Sequence, residues 1–251
     1  ESNKDILDDL DSRLSNLDTV MDDFLDAISS QFDGKSISQN DTSFFSATAT
    51  DDAVFGSHTL QINRLATVDT RLSDQLTESS TSIVDGLGAG TYSFDVEVAN
   101  PTDADEDNRE TISVSVTLAG GQDNETVVDN VVSAINDAMV AADNAGTIDT
   151  ENRAVASAVN ETSDTVRLSL RSGQTGFASR LILSESSSGI LDALNVNNNA
   201  QVSGASGGFV QTVGTSEATS DLTSELVLDG LTLYRNSNQV TDALDGVTIN
   251  L

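Results

Sequence analysis

The chain has no cysteine and no tryptophan, and it contains one proline and one histidine. Without cysteine there is neither a disulfide framework nor a thiol nucleophile, and one histidine alone does not supply the ligands of a zinc site. Basic residues are scarce as well, because 11 Lys and Arg stand against 41 Asp and Glu, for a formal charge of −30. Such a surface repels nucleic acid and anionic membranes. No apolar run approaches the roughly 18 residues of a membrane helix, so we expect neither partner.

The acidity has two explanations that the sequence leaves open. One is adaptation to high salt, in which screening relieves the repulsion among the carboxylates. The other is a surface that is simply very soluble.

No group of residues predicts catalysis or a cofactor. Among 41 acids, pairs of carboxylates arise by chance and identify no acid–base site. The single histidine, His58, is interpreted as a solvated turn residue. Asp103, Asp105 and Asp107 resemble the start of a calcium loop, but the glycine and the final glutamate of an EF-hand are absent, which leaves only loose calcium binding. We therefore expect a non-enzymatic protein without a cofactor or metal.

The first segment carries an apolar heptad that is typical of a coiled coil. We call these positions the seam: Leu7, Leu10, Leu14, Leu17, Met21, Phe24 and Ile28. Two interpretations are an amphipathic helix on its own domain and one helix of a coiled coil with an absent partner. We favour the second, because no comparable long helix follows. The chain begins at Glu1 inside this pattern, so we expect a sequence trimmed at its ends.

Most of the remaining chain alternates apolar and polar residues, which predicts antiparallel strands. The clearest strands are 57–65, 91–99 and 111–118. Residues 125–142 have helical spacing, whereas 66–82 are ambiguous. The expected fold class is thus α+β, mostly β, with a coiled-coil-type helix before two antiparallel β-rich domains.

The closing segment predicts a hairpin, a helical turn and a strand. Two alternating runs surround Asp229-Gly230, which favours a two-residue turn. Asn238 is then expected to cap a short helical turn that Asp245-Gly246 closes. Residues 247–251 alternate as a final strand.

Three segments in this order resemble a known family. GLTLYRNSNQVTDALDGVTINL at the end is similar to the hallmark segment of the bacterial flagellar filament cap, the hook-associated protein 2 family. FFSATATDDAVFGSHTLQINRLAT resembles the end of that family's N-terminal region. VVSAIND, VASAVN, VRLSLRS and GQTGFASRLILS together resemble the flagellin and hook IN motif, centred on Ala134, Ile135 and Asn136.

The resemblance implies a structural role at the extracellular tip of the flagellum, after export by the flagellar secretion apparatus. It implies a ring-shaped homo-oligomer that promotes flagellin folding and insertion, with flagellin, hook-associated proteins and an export chaperone as partners. It also implies three parts: a helical leg over 1–34, a plate domain over 43–80 and 205–251, and an inserted domain over 81–204. A partner helix for the seam would lie beyond Leu251. Other flagellar axial proteins, such as a flagellin or a hook–filament junction protein, and a secreted acidic adhesin remain alternatives, with an enzyme last.

Overall fold

The computed structural model describes residues 4, 12–25, 35–40, 43–100, 108–185, 189–197, 199–201 and 204–251. It is mostly β, with fourteen strands in the described part of the chain. Within those residues, no helix is both long and apolar enough to cross a membrane. The described residues form two compact units, which are residues 1–57 with 239–251, and residues 58–238.

The first unit contains a helix, α1, over the described residues 12–25, and a three-stranded antiparallel sheet. The sheet has the order β1, β14, β13, with bounds β1 Ser46–Ala49, β13 Gln239–Leu244 and β14 Val247–Asn250. Val240 and Ile249 face each other across β13 and β14 and are buried. With Ala53, they are the buried apolar residues among the described residues of this unit.

In the second unit, one three-stranded sheet contains the predicted hairpin. Its order is β12, β11, β2, with bounds β2 Leu60–Arg64, β11 Ser224–Leu228 and β12 Leu231–Arg235. Leu226 pairs with Leu233 on one side and with Ile62 on the other. Leu226 is fully buried, so the alternation seen in the sequence places one face of this sheet inward.

Two further sheets make up most of the second unit. The larger one pairs β8 with β3 and β4 on one side and with β7 on the other, and β10 pairs with β3. The bounds are β3 Val68–Leu72, β4 Leu76–Thr77, β7 Val155–Thr162, β8 Thr165–Thr175 and β10 Gly208–Phe209. The smaller one has the order β6, β5, β9, with bounds β5 Gly90–Ala99, β6 Arg109–Leu118 and β9 Ile182–Glu185.

Helix α3, Asn124–Asn144, packs against strands β6, β7 and β8. Asp123 caps it by accepting a hydrogen bond from the Thr126 N–H at 2.9 Å, as expected of an N-cap aspartate. Its apolar face contributes Val131 and Ile135, both fully buried, to a core that runs from Leu76 to Val196. Two short helices, α2 Ser82–Leu87 and α4 Ile190–Leu194, add buried residues to the same core.

Candidate interaction surface

The described part of the seam is exposed to solvent along α1. Leu14 and Leu17 are each 56% exposed, Met21 is 55% exposed and Phe24 is 63% exposed. The other seam residues, Leu7, Leu10 and Ile28, lie outside the described residues. Exposure of four large apolar side chains in a heptad pattern is what a helix shows when it lacks its coiled-coil partner.

The apolar face of α1 is wider than the seam. Val20 and Leu25 flank the seam and are 62% and 57% exposed. On the remaining surface lie charged residues such as Asp18 and Asp22, which are also exposed. The helix therefore presents one apolar and one acidic face, and only the apolar face offers packing to a neighbouring helix.

A second exposed apolar feature follows β1. Val54 and Phe55 are 80% and 85% exposed in the loop before β2. The Lys35 ammonium lies 5.5 Å from the Phe55 ring centre and donates hydrogen bonds to the carbonyls of Asp51 and Ala53. Lys35 thus fixes the base of this loop and leaves its apolar tip in solvent.

Asp229 and Gly230 form the predicted turn between β11 and β12. Their φ angles are +49° and +88°, which is the left-handed conformation that a two-residue hairpin turn requires. The Asp229 carboxylate also accepts hydrogen bonds from His58 Nδ1 at 2.6 Å and from the Thr59 N–H at 2.8 Å. The hydrogen bond with His58, followed by that from Thr59, holds the pKa of Asp229 below its ordinary value. His58 is therefore more than a solvated turn residue, since it ties the start of β2 to the hairpin.

The helical turn predicted after Asn238 is wrong. Residues Gln239–Leu244 form strand β13 instead, and Asp245-Gly246 makes the tight turn to β14, with Gly246 at φ +67°. Asn238 does not cap a helix. Its amide pairs with the backbone of Ala66, accepting from the N–H at 2.7 Å and donating to the carbonyl at 3.0 Å.

Ala134, Ile135 and Asn136, at the centre of the IN-like motif, lie in the middle of α3. Ile135 is fully buried, and Ala134 packs partly buried against the same core. The Asn136 side chain repeats the geometry of Asn238. It accepts from the Ala156 N–H at 3.0 Å and donates to the Ala156 carbonyl at 2.9 Å. Both asparagine side chains thus bind the N–H and the C=O of a single residue.

Sequence reasoning missed a buried ion pair on β3. Arg71 and Asp69 are 2% and 1% exposed, and their Nε and Oδ1 atoms are 2.9 Å apart. A second hydrogen bond, from Nη2 to Oδ2, measures 3.0 Å. Leu181, just before β9, donates its N–H to Asp69 and accepts from Arg71, both at 2.9 Å. The pair therefore connects the larger sheet to the smaller one.

The described residues contain no group of three or more His, Asp or Glu placed to hold a metal ion. The calcium-loop acids Asp103, Asp105 and Asp107 lie outside those residues. The features that the described residues do present are exposed apolar side chains and amide side chains that bind backbone groups.

Residues 1–69 match the family model described as the flagellar hook-associated protein 2 N-terminus. This match confirms the resemblance to the hook-associated protein 2 family. It includes α1 and the described seam residues. A comparison with curated protein sequences found no match.

Solved structures of flagellar cap proteins share the fold. The D1-D2-D3 domains of the Escherichia coli protein superpose with a TM-score of 0.53 at 22% identity, covering 84% of this chain and 53% of that one. Its D2-D3 domains give 0.54 at 20% identity over 84% and 89% of the two chains. The Pseudomonas aeruginosa protein gives 0.50 at 21% identity over 82% and 77%. The chain thus spans about half of the first of these proteins, and the predicted fold class, α+β and mostly β with an N-terminal helix, is confirmed.

Proposed function

We propose that this chain is part of a flagellar filament cap subunit, which works as a structural protein at the distal tip of the filament. The observation that carries the proposal is the family match over residues 1–69, because it includes the helix whose apolar seam is exposed. The exposed seam is a surface on which a second helix can pack, and the fold is that of solved cap proteins.

In this proposal α1 is one helix of a leg, and its seam packs against a partner helix. Burying a large apolar side chain stabilises by about 1.5–3 kcal/mol when the whole side chain leaves water. The four described seam residues are slightly more than half exposed, so each would contribute roughly 1 kcal/mol. The total is roughly 4 kcal/mol before the entropy of ordering is subtracted. A free energy of this size favours the packed helix pair over the separate helices.

The β-rich parts would form the plate of the cap. We retain residues 43–80 with 205–251 as a plate domain and 81–204 as a domain inserted into it. Apart from Leu76, the buried residues of the core that runs from Leu76 to Val196 lie within 81–204, which supports the inserted domain. Strands β3 and β4 of the segment 43–80 pair with β8 of that domain, and the pairing of β2 with β11 supports the return of the chain into the plate. Such an insertion is tolerated when the two ends of the inserted domain lie close together in space.

The cap would act without catalysis, as a ring of identical subunits. Flagellin exported through the filament would fold and insert beneath this ring, with hook-associated proteins and an export chaperone as further partners. The site of action would be extracellular, at the filament tip.

The test changes the seam in the intact gene of the source bacterium. Leu17→Asp with Met21→Asp places two charges in the seam, and Ser15→Asp with Thr19→Asp, which adds the same charges at the same spacing on the opposite side of α1, is the matched control. We expect the parent protein to form closed rings in negative-stain microscopy, and the seam variant to form none and to release unassembled flagellin into the medium. The control should keep rings and full-length filaments.

Two results would contradict the proposal. One is normal filament growth in a strain from which the gene has been deleted. The other is a seam variant that still forms rings and releases no more flagellin than the control.

A further inference from the structure

Strand β7 lies at the margin of the larger sheet. It pairs with β8, and within the described residues no other strand pairs with it. Val155 and Val159, on its outer face, are 55% and 40% exposed. A strand of this kind exposes backbone N–H and C=O groups to which a strand of another chain can add.

Asn136 occupies this margin at one point. The N–H and C=O groups of Ala156 both bind the Asn136 amide, so they point away from β8. Backbone groups alternate along a strand, and Ala158, two residues on, therefore points to the same margin. The partner of Ala158 across the ladder, Leu168, directs its own backbone towards Ser73 rather than β7, which agrees with this assignment.

We infer that Asn136 closes the free edge of β7 and thereby prevents a second copy of this chain from adding its own β7 there. The amide supplies the donor and the acceptor that a neighbouring strand would supply. It pairs with one residue of β7 and does not extend the sheet. Buried Ile135 holds the helix, and with it the amide, against the strand. Two identical edges can pair antiparallel about a twofold axis, and backbone hydrogen bonds supply the contact whatever the side chains are. This role of the IN-like motif does not depend on the proposed cap function.

The experiment compares the parent chain with Asn136→Ala by light scattering over a range of protein concentrations. It uses about 1 M NaCl, at which the Debye length is about 3 Å, because each chain carries a charge of −30. We expect the concentration at half-association to fall by about tenfold, the factor that one net hydrogen bond can supply. Exchange of the Ala156 amide hydrogen should become faster in dilute solution.

A second substitution distinguishes edge pairing from general instability. Ala158→Pro removes an outward N–H at a position that an edge strand tolerates, so adding it to Asn136→Ala should return association to the parent value. Asn238→Ala is the matched control, since it deletes the equivalent amide pair with Ala66 away from β7. It should leave the association unchanged.

Because the chain has no cysteine, Ser157→Cys gives a single cross-linking position on β7. Cross-linked dimers should form in the Asn136→Ala background and disappear with Ala158→Pro. The inference is overturned if Asn136→Ala speeds Ala156 exchange without changing association, or if Asn238→Ala raises association equally. If Asn136→Ala does not fold, Asn136→Asp, which keeps the acceptor and loses the donor, is judged by the same criteria.

Discussion

The buried Asp69–Arg71 pair gives the sharpest test of what holds the second unit together. Arg71→Met keeps a side chain of similar length but leaves the Asp69 carboxylate, 1% exposed, without its cation. Breaking a buried ion pair by removing one partner costs about 3–5 kcal/mol. At about 2–4 °C for each kcal/mol in a domain of this size, the melting temperature should fall by roughly 6–20 °C.

A second change tests whether the unpaired charge causes that loss. Asp69→Asn added to Arg71→Met removes the charge, while the amide oxygen can still accept from the Leu181 N–H. We therefore expect the double variant to regain most of the lost free energy of unfolding. Replacement of both residues by apolar side chains would regain less, because the Leu181 N–H would also lose its acceptor, at about 1–3 kcal/mol.

Urea and thermal unfolding followed by circular dichroism measure both effects. The control is Arg153→Met, whose ion pair with Asp143 is longer, at 3.5 Å, and partly exposed, so its loss should cost about 1 kcal/mol or less. The reasoning would be refuted if Arg71→Met cost no more than Arg153→Met, or if the double variant were no more stable than Arg71→Met alone.

Three further outcomes follow from the turns and the charge. The folded-state pKa of Asp229 is lowered, so its contribution to folding stability is present above the ordinary carboxyl pKa and is lost as the pH falls through the folded-state value. Urea midpoints measured from pH 6 to 2 should therefore fall less in Asp229→Asn than in the parent. Gly246→Ala should destabilise clearly, because Gly246 has φ +67° and a Cβ would lie 2.5 Å from the Ala53 N atom, whereas Gly120→Ala, with open space around it, should be nearly neutral in thermal unfolding. If self-repulsion from the charge of −30 limits stability, the urea midpoint should rise between about 0.1 and 1 M NaCl; a constant midpoint would favour the soluble-surface explanation of the acidity.

Local sequence patterns predicted the elements correctly where the residues fit only one type of secondary structure. Asp229-Gly230 between two alternating runs gave the hairpin, because that dipeptide adopts positive φ at low cost. The spacing of Val128, Val131 and Ile135 predicted α3, and all three are buried. In both places the local preference and the tertiary packing agree.

The error after Asn238 arose where two patterns fit the same residues. Val240 and Leu244 are four apart, which suits a helix, but they also precede a second Asp-Gly turn, which suits a hairpin. The pairing of Val240 with Ile249 decides for the strand. Asn238 was available as a cap in the sequence, yet its amide is taken by Ala66, and that contact is distant in the chain.

The ambiguity of residues 66–82 has a related cause. Strand β3 contains Asp69 and Arg71, whose charges argue against burial in any sequence-based interpretation. They are buried because they neutralise each other and bind Leu181, which follows them in the chain by more than a hundred residues. The sequence does show two opposite charges at alternate positions, which is compatible with a buried ion pair on a strand. Only the fold shows that the pair binds the backbone of Leu181.

The few basic residues help an acidic chain to keep a compact interior. Four arginines donate to backbone carbonyls within the second unit: Arg64 to Ser220, Arg71 to Leu181, Arg109 to Glu97 and Arg167 to Gly204. Arginines held in this way are less available to a neighbouring copy, so contacts between copies in the proposed ring would rest more on uncharged groups. The apolar face of α1 is such a group, and the backbone edge of β7 is another. In the proposed assembly through α1, pairing at an open edge of β7 would be a competing contact, since screening by salt would favour both contacts alike.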